Sequence, residues 1–265
     1  MKYLKLFESI DAEPIPDIDV YLSRMERGLE SKLFFLTKIN PDCIVDFGCA
    51  NGYILKKIHE LKPDIKLIGY DTDDRMINIL KKEKTDILFT DDWNLVKEEA
   101  SKYKRSALYL SSVIHEVYSY GSSKEIRDFW NEQVFIDCFK YIIIRDMVPS
   151  LQHMKFSPIF TKIVREKSNP EQLQEFENYW GPIDNYRTLL HWLLKYPYVE
   201  NWRRELHENY LPITIEELDK KIPPNWKPLY HKHYTFTYMK SRIKNDFGFD
   251  LELPTHIKII LENNI

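Results

Sequence analysis

Ile18, Leu22, Met25, Leu29, Leu33 and Leu36 recur at three- and four-residue spacing with charged residues between them, which predicts an amphipathic helix over residues 17–38. Pro14 and Pro16 mark its start, and Asn40-Pro41 ends it. The period then changes. Residues 43–47, Cys-Ile-Val-Asp-Phe, form a short apolar run rich in β-branched residues and read as a strand. A loop of small residues follows at 48–52, and Ile54, Leu55, Ile58 and Leu61 restore helical spacing. Residues 66–70 are a second strand ending in Asp71, with Met76, Ile77 and Leu80 opening another helix. Further strands are predicted at 87–89, 107–110 and 141–144, ending at Asp91, Ser112 and Asp146. Strands with no polar alternation, separated by helices, imply a parallel, doubly wound sheet covered on both faces. Such sheets bind ligands at the carboxyl ends of their strands, where Gly48, Asp71, Asp91, Ser112 and Asp146 are expected to gather.

The strand rhythm stops over residues 148–212, where helical segments at 171–179 and 186–196 take over. This stretch reads as a helical insertion. A helix at 214–221 and two strands, 228–237 and 256–262, complete the chain, with 239–252 between them beginning helically. The expected organisation is an N-terminal helical cap at 1–40, a sheet domain from 41–147 and 213–265, and the insertion at 148–212.

Of the 265 residues, 43% are hydrophobic and 30% charged, which argues against a disordered chain. Lys and Arg number 38 against 41 Asp and Glu, so the net charge of -3 lacks the basic excess of a protein that holds nucleic acid mainly through phosphates. Cys43, Cys49 and Cys138 have neither CxxC spacing nor an even count, so no zinc knuckle or disulfide framework is expected, and the compartment is expected to be the reducing cytoplasm. No metal site, membrane span or targeting segment is expected either.

With only 7 glycines in the chain, Gly48 and Gly52 four residues apart are informative. A strand, a loop of small residues and a helix let backbone approach a ligand and offer it the helix N-terminus. The loop, Asp46-Phe47-Gly48-Cys49-Ala50-Asn51-Gly52, matches neither the dinucleotide pattern GxGxxG nor a P-loop ending in Gly-Lys-Ser/Thr. It resembles instead the first motif of class I S-adenosylmethionine-dependent methyltransferases, an acidic residue followed by GxGxG, as VDFGCANG stands at 45–52. Ala50 departs from the middle glycine and would adopt a positive φ only at a cost.

The resemblance covers residues 43–147 well and the last two strands loosely. It implies a Rossmann-like, mainly parallel seven-strand sheet whose last two strands form an antiparallel end, with the insertion as an acceptor-side lid. It implies S-adenosyl-L-methionine as cofactor, held around Asp46, Gly48, Cys49, Ala50 and Gly52. Asp71, with Thr72 beside it, would accept hydrogen bonds from the ribose hydroxyls. Asp91 or Asp92 would meet the adenine amino group, with Trp93 as an apolar wall and Ser112 at the next strand end. Arg24 on the N-terminal helix would pair with the cofactor carboxylate, the alternative being a surface arginine.

The segment after the fourth strand contains His115-Glu116, but Ser119 stands where HExxH requires its second histidine, so a zinc protease is excluded. The Asp- or Asn-Pro-Pro-aromatic tetrapeptide of adenine and cytosine amino-methyltransferases is also missing. In the methyltransferase frame His115 lies beside the acceptor, as a base for a hydroxyl or amine or as a residue lining the site, with Glu116 or Tyr118 orienting it or the substrate. The insertion carries Trp180, Tyr186, Trp192, Tyr196, Tyr198, Trp202 and Tyr210, interleaved with Arg187, Lys195, Arg203, Arg204 and His207. These read either as a stacking surface for a nucleotide or single strand, or as the core of a helical subdomain. The expected activity is methyl transfer to an O or N acceptor, with RNA or a nucleotide favoured over a small metabolite. Against it stand a non-catalytic cofactor-binding partner protein of the same fold and a nicotinamide-dependent dehydrogenase. Acceptor identity and oligomeric state are left open.

Overall fold

The computed structural model describes residues 28–150, 157–252 and 254–264. Seven strands form one sheet: β1 (Cys43–Phe47), β2 (Lys66–Tyr70), β3 (Leu88–Thr90), β4 (Ser106–Ser111), β5 (Tyr141–Asp146), β6 (Trp226–Tyr234) and β7 (His256–Asn263), in the order β3-β2-β1-β4-β5-β7-β6. β1 to β5 pair in parallel, with Phe47 beside Tyr70 and Leu110. Asn263 at the end of β7 donates its N–H to Lys140 just before β5, and the end of β7 also meets the start of β6 through Asn264 and Asn225. The last two strands therefore run against their neighbours, the antiparallel end expected from the resemblance.

All five residues of β1 are buried, as a strand covered on both faces requires. On one face Ile44, Tyr109, Ile143 and Ile260 pack with Phe35 and with Leu55 and Ile58 of helix α1 (Tyr53–Leu61). Two further crossover helices, α2 (Asp74–Leu80) and α3 (Trp93–Ala100), start where an aspartate caps the first turn. Asp73 accepts from the N–H groups of Arg75 and Met76, and Asp92 from that of Asn94. β6 begins two residues earlier than expected because Pro228 is tolerated on an edge strand.

The predicted helix over 17–38 is seen only in part. Residues 17–27 lie outside the described residues, and from 28 onward the chain makes a four-residue helix at Leu29–Lys32 and a 3-10 turn at Phe34–Thr37. Gly28 sits in the left-handed region at φ 81°, which stops a helix continuing through it. Phe34 and Phe35 are both buried but on different partners, Phe34 against Tyr230 at 5.6 Å and Phe35 against Tyr109 at 5.0 Å. One face of a regular helix does not present two consecutive rings in this way.

The chain divides into two compact units, one of 1–146, 221–232 and 258–265, the other of 147–220 and 233–257. The second unit is helical. Its core sets Leu173 and Phe176 from the helix Pro170–Trp180 against Leu189, Trp192 and Leu193 from the helix Tyr186–Lys195, with Ile243 and Phe247 from the helix Thr237–Phe247. The aromatic residues of 180–210 are largely engaged in this packing, while Arg187, Arg203 and Arg204 keep exposed surface. Trp192 is fully buried and donates to Ser168 Oγ at 3.1 Å. Trp180 and Trp202 donate to Leu206 O and Glu175 Oε2, both at 2.6 Å. Arg187 bonds Leu211 O at 2.8 Å. Lys195 is buried under the Trp180 ring with its ammonium on Leu206 O at 3.1 Å. The tryptophans that favoured a nucleotide acceptor thus belong to a subdomain core.

Candidate functional site

The turn after β1 is built from three residues of positive φ: Gly48 at 77°, Ala50 at 47° and Gly52 at 68°. The N–H groups of Gly48 and Cys49 both donate to Tyr70 O, at 2.8 and 3.0 Å, and tie the turn to the end of β2. A Cβ on Gly48 would stand 3.0 Å from the Val113 side chain, and one on Gly52 would meet the Phe89 ring at 2.9 Å, so glycine is required for space as well as for φ. Ala50 takes the left-handed conformation at a cost of about 1–2 kcal/mol. Its N–H donates to Asp71 Oδ2 at 2.8 Å, which helps hold that conformation. Cys49 is buried, and burial pushes its thiol well above the usual range, so it packs as a neutral group.

Asp71 is half-buried at the end of β2, and its other oxygen, Oδ1, accepts from Asp73 N at 3.0 Å. Burial raises its carboxyl, opposed by the N–H groups of Asp73, Ala50 and Thr72. A carboxylate has about four lone-pair sites, so these contacts pin the group while leaving acceptor capacity for a pair of hydroxyls. The cap of α2 is Asp73, one residue beyond Thr72, which frees Asp71 from that task.

Asp46 is buried in β1, and its carboxyl is pushed up to about 7 by burial and by the negative charge of Asp71, with Lys32 opposing. Between its ordinary value of 3.8 and about 7 the folded chain binds more protons at this site than the unfolded chain. Its contribution to stability therefore falls as pH rises through that window. Urea unfolding of wild type and Asp46→Asn at about pH 5 and about pH 8 checks this. The variant is expected to gain stability relative to wild type at the higher pH, and an equal difference at both would remove Asp46 as the cause.

At the third strand end Asp91 is exposed and faces the Lys81 ammonium at 3.4 Å, and Asp92 serves as the cap of α3. Trp93 packs at the ends of β1 and β2, with ring centroids 5.3 Å from Phe47 and 4.9 Å from Tyr70, and Phe129 lies 5.5 Å from Phe47. Phe47, Tyr70 and Phe129 were not singled out from the sequence. The signal for Phe47 and Tyr70 was that β1 and β2 both end in an aromatic residue, in parallel register.

Ser112, at φ 59°, follows β4, and its Oγ accepts from Arg145 Nη1 at 3.2 Å. Helix α4 (Ile114–Tyr120) starts two residues later. Val113, whose side chain abuts Gly48, offers no side-chain cap, and the Ile114 N–H donates instead to Asp146 Oδ2 at 2.7 Å. The other oxygen of Asp146 lies 2.9 Å from His115 Nδ1. His115 is thus oriented by Asp146, where Glu116 or Tyr118 had been expected. Glu116 is half-buried in the first turn, and Tyr118 accepts from Trp130 Nε1 at 3.1 Å. Asp146 was visible only as an acidic strand end. Arg24 lies outside the described residues. Nearby cations that the sequence did not single out are Arg145 and Lys32, the latter lowered to about 8 by burial and by Arg145, with Asp46 opposing. Among the described residues no His, Cys, Asp and Glu cluster could hold a metal ion, and no helix is long and apolar enough to cross a membrane.

No protein-family model and no curated protein sequence matches the chain. Solved structures do match. The plantazolicin methyltransferase BamL, in complex with a triazolic desmethylPZN analog and SAH, superposes with a TM-score of 0.53 at 11% identity, over 99% of this chain and 94% of that one. The fold is that of the class I S-adenosylmethionine-dependent methyltransferases. The plantazolicin methyltransferase BpumL in complex with SAH matches over the same shares of the two chains, with a TM-score of 0.50 at 15% identity. In this class I fold the turn at 48–52 stands at the carboxyl end of the interior strand β1, with Asp71 on its neighbour and His115 and Asp146 following β4 and ending β5.

Proposed function

We propose that the protein transfers a methyl group from S-adenosylmethionine to an oxygen or nitrogen acceptor. The observation that carries this reading is the bond from the Ala50 N–H to Asp71, made from a turn whose backbone is exposed at Gly48. A bare turn beside a pinned carboxylate fits an adenosyl group, with the sugar hydroxyls on Asp71 and the base against the apolar rings of Phe47, Tyr70 and Trp93. Asp91 and Asp92 are less suited to the base, since one faces Lys81 and the other caps α3.

S-adenosylmethionine, when bound, supplies a methyl carbon on a positively charged sulfur, so the chain has mainly to hold donor and acceptor in line and exclude competing water. Acceptors of the peptide natural-product type agree with the plantazolicin methyltransferases of similar structure. The insertion gives a nucleotide acceptor little support, because its aromatic rings and Lys195 are engaged internally.

Calorimetry with S-adenosylmethionine and with NAD tests the cofactor, and the first alone is expected to bind. Incubation with labelled donor and separate peptide, metabolite and RNA fractions tests turnover. Binding without label on any fraction would indicate a non-catalytic scaffold, and binding of NAD would overturn the reading.

A further inference from the structure

Asp146 ends β5 and points its carboxylate at helix α4. Its side chain is fully buried, and that of His115 is 8% exposed. A buried carboxylate carries a desolvation penalty of several kcal/mol unless its oxygens are satisfied. Here each oxygen has a separate partner, Oδ2 the Ile114 N–H at 2.7 Å and Oδ1 the His115 ring at 2.9 Å. A helix start that only lacked a cap would be served by the first contact alone, and a neutral Ser, Thr or Asn would supply it. The second contact sets the imidazole. With Oδ2 tied to the backbone, the carboxylate is fixed in rotation, and an acceptor-only group facing Nδ1 requires the proton to sit on Nδ1. The lone pair is then on Nε2.

We propose that Asp146 is a positioning residue that holds His115 with Nε2 as the proton acceptor of the transfer reaction, so that the substrate offers its methyl-accepting atom as a hydroxyl or as a neutral amine that carries a hydrogen. This rests on the methyltransferase reading. As the acceptor's lone pair bonds to the methyl carbon, the carbon–sulfur pair stays with the departing thioether and the acceptor's proton passes to Nε2. The imidazolium so formed is balanced by the Asp146 carboxylate.

The first test needs no acceptor. Long-range nitrogen–proton NMR of the full chain, with the His115 signals assigned by their loss in His115→Gln, reports which ring nitrogen carries the proton. Wild type is expected to show His115 protonated on Nδ1 above neutral pH. Asp146→Asn, which turns an amide donor toward Nδ1 while its carbonyl keeps the Ile114 bond, is expected to move that proton to Nε2. Wild type protonated on Nε2 would overturn the proposal even if Asp146→Asn failed to fold. Labelled-methyl transfer then distinguishes positioning from support. Asp146→Asn and His115→Gln are each expected to lower kcat about 100-fold or more with KM little changed. A wild-type kcat in either would likewise overturn it. Failure of wild type to bind S-adenosylmethionine in calorimetry would sink the functional reading instead, and the tautomer result would separate the two failures.

Discussion

Asp71→Ala lowers the affinity for S-adenosylmethionine about 10- to 150-fold in calorimetry, corresponding to the loss of about 1.5–3 kcal/mol for hydrogen bonds to a charged group. The carboxylate is pinned by N–H donors on both oxygens, from Ala50 at 2.8 Å and Asp73 at 3.0 Å, so its spare acceptor sites are already aimed when ligand arrives. Asp71→Asn, which keeps one carbonyl acceptor, is expected to fall between alanine and wild type. The alanine change also strips the Ala50 N–H of its partner in a turn that already holds a non-glycine residue at φ 47°. A loss of thermal stability in the free protein should therefore accompany the weaker binding. Affinity within twofold of wild type would take Asp71 out of the site.

Trp192→Ala destabilises the helical unit by about 3–5 kcal/mol, the cost of a large cavity in a close-packed core. Trp192 has no exposed surface, contacts Phe176 with ring centroids 5.4 Å apart and donates to Ser168. Since whole domains are stable by only about 5–15 kcal/mol, the change removes a large share of the margin. Urea unfolding and hydrogen exchange in the helices Pro170–Trp180 and Tyr186–Lys195 measure it. A ring whose task was to stack on a nucleotide would behave in the opposite way, losing affinity for single-stranded RNA with its stability intact. Destabilisation below about 1 kcal/mol would show that the indole is not structural.

Much of the sheet could be read from local pattern. The runs at 43–47, 66–70 and 141–144 are apolar but for Asp46 and Lys66, and each forms a strand because covering helices demand two apolar faces. The turn at 48–52 was equally legible, since scarce glycine at two points between a strand and a helix marks a backbone that must take positive φ. Ala50 shows the limit of that argument. Its left-handed conformation was expected to be costly, yet it is adopted and is joined to Asp71 by a bond spanning 21 residues of sequence. Asp91 and Asp92 show another limit, because a carboxylate before a helix reads the same whether it caps the helix or meets a ligand. The contact with Asn94 N assigns Asp92 to the cap.

The order of hydrophobic and polar residues was enough to determine the alternating strands and helices, the bare first turn and the acidic end of the second strand, because period and turn chemistry act over a few residues. Three-dimensional packing decided that Asp146 reaches His115 across 31 residues, that the change from α-helix to 3-10 turn at Leu33 lets Phe34 and Phe35 find separate partners, and that the tryptophans of the insertion turn inward. These outcomes depend on which buried surfaces and polar groups meet when distant segments close on one another. No window along the chain contains both members of such a pair.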